Sequence, residues 1–280
     1  MYLSNYHSHC DFCDGRAPME AFVQAAVDAG FRGYGISSHS PLPFDAPCAM
    51  SAGRVGEYLA GIERLKREYA GRIELYAGME IDYINEEHGP STTYFQELPL
   101  DYRIGAVHYV THPSSGRLMD IDGKEERFRS ALAEIFDGDL EGLVDAYYDA
   151  SERMIARGGF DFIAHLDKVA MNAERVNPSI TGTRHYRDRL MAYLEEIAAR
   201  GLMIEINTKA YPALGILFPR QEYLKRVLEL QIPVIVNSDA HFPLAINEGR
   251  REALEILRAT GFRHVTCLEA GAWTRIYLDN

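Results

Sequence analysis

The residues best suited to chemistry stand at the start of the chain, where two histidines lie one residue apart. His7 and His9 end a short apolar and aromatic run, and Asp11 and Asp14 follow within one loop. On an extended strand, residues i and i+2 point to the same side, so both imidazoles would face one point in space. Such a pair provides half of a metal site. On its own the pattern is weak, since two ordinary polar residues near a terminus would also produce it.

Other segments with the pattern of strands also finish on histidine or acidic residues. Counting the first pair, the strand-end residues are His7, His9, His39, Glu80, His108, His165, Asp239 and His241. Six of the ten histidines in the chain lie at such positions. Because chance placement of so many would be rare, this pattern is the strongest indication of function in the sequence.

Strands and helices alternate along the chain, and this alternation must position those side chains. After the opening run, strands are predicted at 33–38, 73–82, 102–107, 160–164, 202–206 and 233–237, with a closing strand at 264–266. Helices are predicted at about 18–29, 55–69, 140–157, 183–200, 220–230 and 247–259, with Thr183 and Asn247 as N-caps. This alternation favours parallel pairing, and in a β/α barrel catalytic groups gather at the C-terminal ends of the strands.

The segment at about 111–139 interrupts the alternation. It is polar and irregular, with one short helix predicted around 125–136. We interpret it as an insertion that covers the active-site face of a single domain spanning residues 1–280. Elsewhere, Asp82 and Asp167 each follow a strand-end residue by two positions. They would either orient an imidazole from behind or make ordinary loop hydrogen bonds.

Composition narrows the class of protein. The 280 residues are 47% hydrophobic and 25% charged, which is typical of a globular chain with ample material for a core. The net charge of −12, from 29 basic and 41 acidic residues, is spread along the chain and argues against a partner that is a nucleic acid. No apolar run approaches the ~18–20 residues of a membrane span, and the start of the chain does not resemble a signal peptide. We therefore expect a cytoplasmic protein.

The four cysteines include one close pair, Cys10 and Cys13, in a CxxC motif. No second CxxC is present to complete a zinc ribbon. The pair could form a disulfide or act in redox chemistry. The favoured interpretation is that both are small apolar residues beside the predicted metal loop.

The strand-end residues predict a metal centre with hydrolytic chemistry. Imidazole and carboxylate ligands without thiolate suit Zn²⁺, Mn²⁺ or Fe²⁺, and a set of this size would fill two or three ions with a carboxylate bridging a pair. Two ions about 3.5–4 Å apart can generate a hydroxide and stabilise both attacking and leaving oxygens. The reaction predicted is hydrolysis, most naturally of a phosphate ester.

Several motifs carry a family resemblance. They are His7-Ser8-His9, Ser38-His39, Gly78-Met79-Glu80, His108, His165-Leu166-Asp167 and Ser238-Asp239-Ala240-His241. Together they resemble those of the PHP (polymerase and histidinol phosphatase) superfamily. Within it the chain is similar to the monofunctional histidinol-phosphate phosphatases, in stretches that also include Asn207-Thr208. The resemblance runs from Tyr6 to Gly249 and implies an α/β fold: a distorted, TIM-like (β/α)7 barrel with a trinuclear metal centre.

The resemblance also implies an assignment of ligands to three ions. His7, His9, Glu80 and Asp239 would hold the first ion. Glu80 would bridge to the second, which His108 and His165 would also bind. His39 and His241 would hold the third, with Asp14 at a place where the family often has a histidine. A carboxylate can fill that place; the alternative is a solvated loop acid.

The implied activity is hydrolysis of L-histidinol phosphate, a small-molecule ester, with Asp239 or His241 handling the proton of the leaving group. Two alternatives stay open. One is a PHP phosphoesterase acting on another small phosphate, on phosphotyrosine or on a nucleotide. The other is a non-catalytic metal-binding module. Composition and motifs leave the oligomeric state open.

One loop departs from the pattern of the related phosphatases. After Asn207-Thr208 they tend to carry a Gly-Leu-Arg-Lys-like loop, whereas this chain has Lys209-Ala210-Tyr211-Pro212. A lysine supplies a point charge for phosphate but not the bidentate fork of a guanidinium. The candidates for phosphate binding are Lys209, Arg16, Lys168 and Arg220, each of which could instead be a solvated surface base.

Overall fold

The computed structural model describes residues 3–278 of the chain. The strands in chain order are β1 (Ser4–Asn5), β2 (Gly33–Ile36), β3 (Glu74–Ala77), β4 (Glu80–Asp82), β5 (Ile104–Ala106), β6 (Tyr109–Thr111), β7 (Leu118–Asp120), β8 (Phe162–Ile163), β9 (Met203–Asn207), β10 (Val234–Asn237), β11 (His264–Glu269) and β12 (Ala272–Tyr277). The α-helices are α1 (Met19–Asp28), α2 (Val55–Glu68), α3 (Thr93–Glu97), α4 (Glu125–Ile135), α5 (Leu140–Arg157), α6 (Val169–Val176), α7 (Arg184–Ala199), α8 (Tyr211–Leu214), α9 (Leu224–Glu229) and α10 (Arg250–Thr260). Short 3₁₀ turns occur at Ala52–Arg54, Ile180–Gly182, Gln221–Tyr223 and Pro243–Ala245.

Parallel strands form two sheets, in the orders β1-β2-β3 and β10-β9-β8-β5-β4. Two isolated parallel bridges connect the sheets, Ser8 with Ala240 and His39 with Glu80. Across the first bridge, His9 N donates to Ala240 O at 2.8 Å. Because β4 continues β3 after two residues, the strands close into a seven-stranded ring of short elements. The predicted distorted (β/α)7 barrel in a single α/β domain is confirmed.

The predicted single strand at 73–82 is wrong in one respect, since it is divided at Gly78-Met79. The ring of Tyr102 occupies the space beside Gly78, where an added Cβ would lie 2.2 Å from Tyr102 Cζ. The Tyr102 hydroxyl donates to Tyr6 O at 2.6 Å, so the ring is held inside the barrel. The backbone changes sheets at this glycine. Glu80 therefore begins a strand of the second sheet.

Most predicted helices are present, but two helix starts differ from expectation. Thr183 caps α7 as predicted, since its hydroxyl accepts from Tyr186 N at 3.1 Å. Asn247 does not cap the last helix, because α10 begins after Gly249, which has a φ of +68°. A Cβ at Gly249 would lie 3.0 Å from Thr208 Cβ, so close loop packing decides this turn. The predicted helix at 220–230 is divided into a 3₁₀ turn and α9.

Two hairpins were absent from the sequence prediction. The segment at 111–139 is less irregular than expected, because β6 and β7 pair antiparallel before α4, the helix that was predicted. At the C-terminal side, β11 pairs with β12 instead of forming a single closing strand. Ala270 and Gly271 both have positive φ, as a tight two-residue hairpin turn requires. None of the helices between residues 3 and 278 is long and apolar enough to cross a membrane.

Candidate metal centre

All nine predicted metal ligands converge at the C-terminal ends of the barrel strands. Glu80 begins β4, seven others follow the ends of β1, β2, β5, β8 and β10 by two to four residues, and Asp14 reaches the cluster from the loop after β1. Two members have backbone conformations that non-glycine residues seldom adopt, with φ of +23° at His165 and +48° at Asp239. Such strain persists where the surrounding structure holds a side chain in place for function.

Glu80 lies at the centre of the cluster and divides its two carboxylate oxygens between two sets of imidazoles. Oε2 lies 2.9 Å from His39 Nδ1 and 3.3 Å from His7 Nε2. Oε1 lies 3.0 Å from His165 Nε2 and 3.7 Å from His108 Nε2. A carboxylate placed in this way can bridge two cations.

Asp239 and Asp14 complete the cluster on two further sides. Asp239 Oδ1 lies 3.2 Å from His9 Nε2. Asp14 Oδ1 lies 3.2 Å from His241 Nε2 and 3.8 Å from His39 Nε2. Four overlapping groups could each hold an ion: His9-Asp14-His39-His241, His7-His165-Asp239, His7-His9-Glu80 and His39-Glu80-His108. The cluster can therefore bind several metal ions, while the assignment of each ligand to one ion stays a prediction.

In three of these histidines, a carboxylate or carbonyl oxygen contacts Nδ1, the ring nitrogen that points away from the cluster. Glu205 Oε1 lies 2.8 Å from His7 Nδ1, and Asp82 Oδ1 lies 2.9 Å from His108 Nδ1. His241 Nδ1 lies 3.0 Å from its neighbour's carbonyl, Asp239 O. An acceptor on Nδ1 keeps the proton there, so the Nε2 lone pair points into the cluster as a metal ligand requires.

Glu205 is the functional residue that the sequence analysis missed. Its one signal is an acidic residue within the otherwise apolar strand β9, and the side chain is fully buried. Of the two aspartates with open roles, Asp82 orients the His108 imidazole. Asp167 makes a loop hydrogen bond instead, accepting from Arg220 N at 3.0 Å.

The charge distribution of the cluster fits divalent cations. Burial alone would raise the pKa of Glu80, but the facing His7 and His39 hold it well below its usual range. The pKa of Asp239 is likewise lowered against the effect of burial, chiefly by Lys209 and His7. Both carboxylates are thus ionised and lie among imidazoles in a buried site.

Several inward-facing atoms are buried and make no hydrogen bond of normal geometry, although imidazole or carboxylate groups lie near them. They include His7 Nε2, His9 Nε2, Glu80 Oε2 and Asp14 Oδ1. Buried polar atoms without partners are costly, and their convergence at one point indicates a ligand. Since the donors are imidazole nitrogens and carboxylate oxygens, the set suits Zn²⁺, Mn²⁺ or Fe²⁺.

A cavity of about 170 Å³ opens onto the cluster. Its lining residues are Asp14, His39, Cys48, Asp82, His108, Tyr109, Asp120, Asp122, Gly123, Lys209 and His241. A cavity of this volume can admit a small molecule. Asp120, Asp122 and Gly123 belong to the segment that was predicted as an insertion.

The structure brings one of the four predicted phosphate-binding residues into the cavity. Lys209 Nζ lies 3.1 Å from Asp239 Oδ1 and 3.5 Å from His241 Nε2, with 35% of the side chain exposed. Lys168 is buried and contacts the cavity residue Asp122 at 3.1 Å.

The other two candidates lie elsewhere. The Arg220 guanidinium pairs with Glu174 at 2.5 Å, and the exposed Arg16 is outside the cavity lining. Neither arginine is therefore placed to bind phosphate through a bidentate guanidinium, which is the contact that the loop at Lys209 lacks.

The CxxC cysteines, Cys10 and Cys13, are free thiols beside the metal loop in this structure. Cys10 Sγ lies 3.3 Å from Ser38 Oγ, and Cys13 Sγ lies 3.5 Å from His9 Nδ1. Burial raises the pKa of the Cys13 thiol to about 12, which keeps it neutral. A neutral thiol is a poor metal ligand, in agreement with a cluster built from imidazole and carboxylate.

A family model described as the PHP domain matches residues 5–209. The chain belongs to the PHP domain family. A Deinococcus radiodurans protein named "Probable histidinol-phosphatase" is 31% identical over 275 residues, which cover 94% of this chain and 96% of that protein. The Bacillus subtilis histidinol-phosphatase is 26% identical over 254 residues, covering 84% of this chain and 92% of that one.

Two solved structures share the fold of this chain. A crystal structure from Listeria monocytogenes has a TM-score of 0.78 at 20% identity and covers 89% of this chain and 99% of that one. The histidinol phosphate phosphatase of Lactococcus lactis, solved with zinc, L-histidinol and phosphate, has a TM-score of 0.70 at 17% identity. Its match covers 97% of this chain and 98% of that one. At these identities the likeness establishes the PHP fold.

Proposed function

We propose that this PHP-family chain is a metal-dependent phosphomonoesterase that hydrolyses L-histidinol phosphate to L-histidinol and phosphate, a reaction of histidine biosynthesis. The observation that carries the proposal is the position of Glu80, whose two oxygens face separate imidazole groups that include the cavity-lining His39 and His108. The names of the two bacterial relatives support the substrate. The ligands in the Lactococcus lactis structure support a small-molecule ester.

The residues that would hold the ions are His7, His9, Asp14, His39, Glu80, His108, His165, Asp239 and His241. When bound, adjacent divalent ions lower the pKa of water and offset the charge on phosphate oxygens. The family resemblance implies three ions, and the ligand set is compatible with two or three.

The cavity residues would bind the phosphate and supply a proton. Lys209 presents its ammonium group to the cavity, where it would donate to a phosphate oxygen. Asp239 raises the pKa of Lys209 although burial alone would lower it, so the side chain stays protonated. Of the two candidates for the leaving-group proton, His241 lines the cavity, whereas the Asp239 carboxylate faces His9 and Lys209.

His241 cannot hold an ion through Nε2 and donate a proton from the same atom at once. Metal analysis of His241→Asn decides between these roles. Loss of bound metal would assign His241 as a ligand. Full metal content with a slow reaction of esters that have poor leaving groups would assign it as the proton donor.

The changed loop at Lys209 favours a second candidate function, a PHP phosphoesterase for another small phosphate, for phosphotyrosine or for a nucleotide. A lysine ammonium is a point charge that can pair with phosphate groups in many orientations, whereas a bidentate arginine requires one orientation. A cytoplasmic location and the absence of a nucleic-acid partner belong to the proposal and rest on the sequence expectations.

The experiment is phosphate release from L-histidinol phosphate beside a panel of other phosphomonoesters, after metal removal and re-addition of Zn²⁺, Mn²⁺ or Fe²⁺. Preference for L-histidinol phosphate is expected. Activity that favours another ester would retain the metal chemistry and replace the substrate. Metal binding without turnover of any ester would overturn the proposal.

A further inference from the structure

The β6–β7 hairpin returns the chain to the cluster immediately after His108. Ile121 N donates to His108 O at 2.9 Å, and Asp120 lies opposite Tyr109 in the antiparallel register. Neighbouring residues on an extended chain point to opposite faces. Met119 and Ile121 are buried in the core, so Asp120 and Asp122 face the other way, and both line the cavity.

The carboxylates of the cavity differ in what they contact. Asp14 faces His241 at 3.2 Å, Asp82 faces His108 at 2.9 Å, and Asp122 faces Lys168 at 3.1 Å. Asp120 accepts a hydrogen bond from Asp122 N at 2.9 Å. Among the cavity-lining acids that the structure describes, Asp120 is therefore the one without a cationic or imidazole partner. An aspartate without such a partner can form an ion pair with a cationic group of a ligand.

We infer that Asp120 is a specificity-determining residue that binds a protonated amine on the phosphate ester. The inference rests on the proposed function, because it concerns the substrate of the same cavity. An ester of an amino alcohol carries both a phosphate and an ammonium group. Lys209 and Asp120 supply to one cavity the two opposite charges that such a molecule requires.

The surroundings of Asp120 agree with this role. Partial desolvation at the cavity wall and the neighbouring Asp122 carboxylate raise the pKa of the Asp120 carboxyl above its ordinary value, while the side chain stays exposed enough for a ligand to reach it. An ammonium group bound in the cavity would remove that penalty, whereas an uncharged alcohol would not. Binding at this acid would thus select for amine-bearing esters.

Asp120→Asn tests the inference, with Glu126→Gln as the matched control. Glu126 is an exposed acid of α4 outside the cavity lining, so its variant removes the same charge without changing the cavity. Asp122 is unsuitable as a test site, because its substitution would leave the buried Lys168 without its partner. The probes are L-histidinol phosphate, phosphoethanolamine and glycerol 3-phosphate, each with metal-loaded enzyme.

We expect Asp120→Asn to lower kcat/KM for both amine-bearing esters by about tenfold, mainly through KM. Activity on glycerol 3-phosphate should not change, Asp120→Glu should recover part of the loss, and Glu126→Gln should match the parent enzyme. An equal loss for all three esters, or no loss for any, overturns the inference.

Failure of the proposed function can be distinguished from failure of the inference about Asp120. If the parent enzyme hydrolyses none of the esters, calorimetric binding of L-histidinol phosphate to the metal-loaded protein still tests Asp120. Weaker binding by Asp120→Asn than by Glu126→Gln supports the inference, and equal binding overturns it.

Discussion

Glu205 Oε1 lies 2.8 Å from His7 Nδ1, and both side chains are fully buried. The same carboxylate accepts hydrogen bonds from His165 N at 3.1 Å and from Asn237 Nδ2 at 3.0 Å. Burial alone would raise the pKa of Glu205, but the His7 contact lowers it, so the group is ionised. One acid from the middle of β9 thus supports two histidines of the metal centre.

Replacing Glu205 with glutamine should weaken metal binding without removing any direct ligand. The amide cannot hold the His7 proton on Nδ1 as a carboxylate does, so the Nε2 lone pair would be less available. We expect metal affinity or activity to fall about 10- to 100-fold. Competition with a chelator measures the affinity. Asp161→Asn is the control, because Asp161 precedes β8 at the opposite end of the barrel. Equal effects in both variants would contradict the prediction.

Asp14 should be a metal ligand in spite of its partly exposed loop position. Its Oδ1 lies 3.2 Å from His241 Nε2 and makes no hydrogen bond. Asp14→Asn should reduce the bound metal by about one ion per chain, and Asp14→His should retain it, because imidazole is an equivalent ligand. Elemental analysis measures the stoichiometry. Asp11→Asn changes an exposed acid of the same loop and should retain the full content.

Lys209 should contribute to substrate binding through its charge. Lys209→Ala should lower kcat/KM for the preferred phosphate ester by about tenfold or more, because a charge-assisted hydrogen bond to phosphate is lost. Lys209→Arg should keep most of the activity. Lys225→Ala removes an exposed lysine of α9 and serves as the control.

Metal content must be measured in the same samples, since Lys209 Nζ also contacts Asp239 at 3.1 Å. A loss of activity that follows a loss of metal would assign Lys209 to the support of Asp239 rather than to phosphate.

Asp167 should make stability depend on pH. Burial raises its pKa from 3.8 to about 7, although Arg220 N donates to the carboxyl. Between these values the folded chain holds a proton that the unfolded chain has released. The contribution of protonated Asp167 to the free energy of unfolding is therefore present at low pH. It is lost as the pH rises toward 7, by up to about 1.4 kcal/mol per pH unit.

Asp167→Asn imitates the protonated acid and removes this dependence. In chelator-treated protein, the free energy of unfolding of the variant minus that of the parent should increase by about 2 kcal/mol or more from pH 5 to pH 8. Urea unfolding at both pH values measures the difference, with the exposed Asp188→Asn as control. A difference in unfolding free energy between variant and parent that does not change with pH would show that Asp167 is ionised in the folded chain.

Elements with strong apolar periodicity could be predicted from the sequence alone. The predicted helix at 140–157 coincides with α5, because its inward positions repeat at helical spacing and Gly158 ends it. Elements decided by distant contacts could not. The division of the third strand depends on the Tyr102 ring, and the start of α10 depends on packing of Gly249 against Thr208.

By itself, the sequence determined the kinds of ligands and their meeting place. Histidine and acidic residues after successive strands of a β/α alternation must gather at one end, because parallel strands all point the same way. Only the tertiary structure decided that Glu80 divides its oxygens between two imidazole groups, that Glu205 supports His7, and that Asp120 faces the cavity unpaired. These contacts join residues distant in the chain or separated by a hairpin, and strand register and barrel closure set their distances.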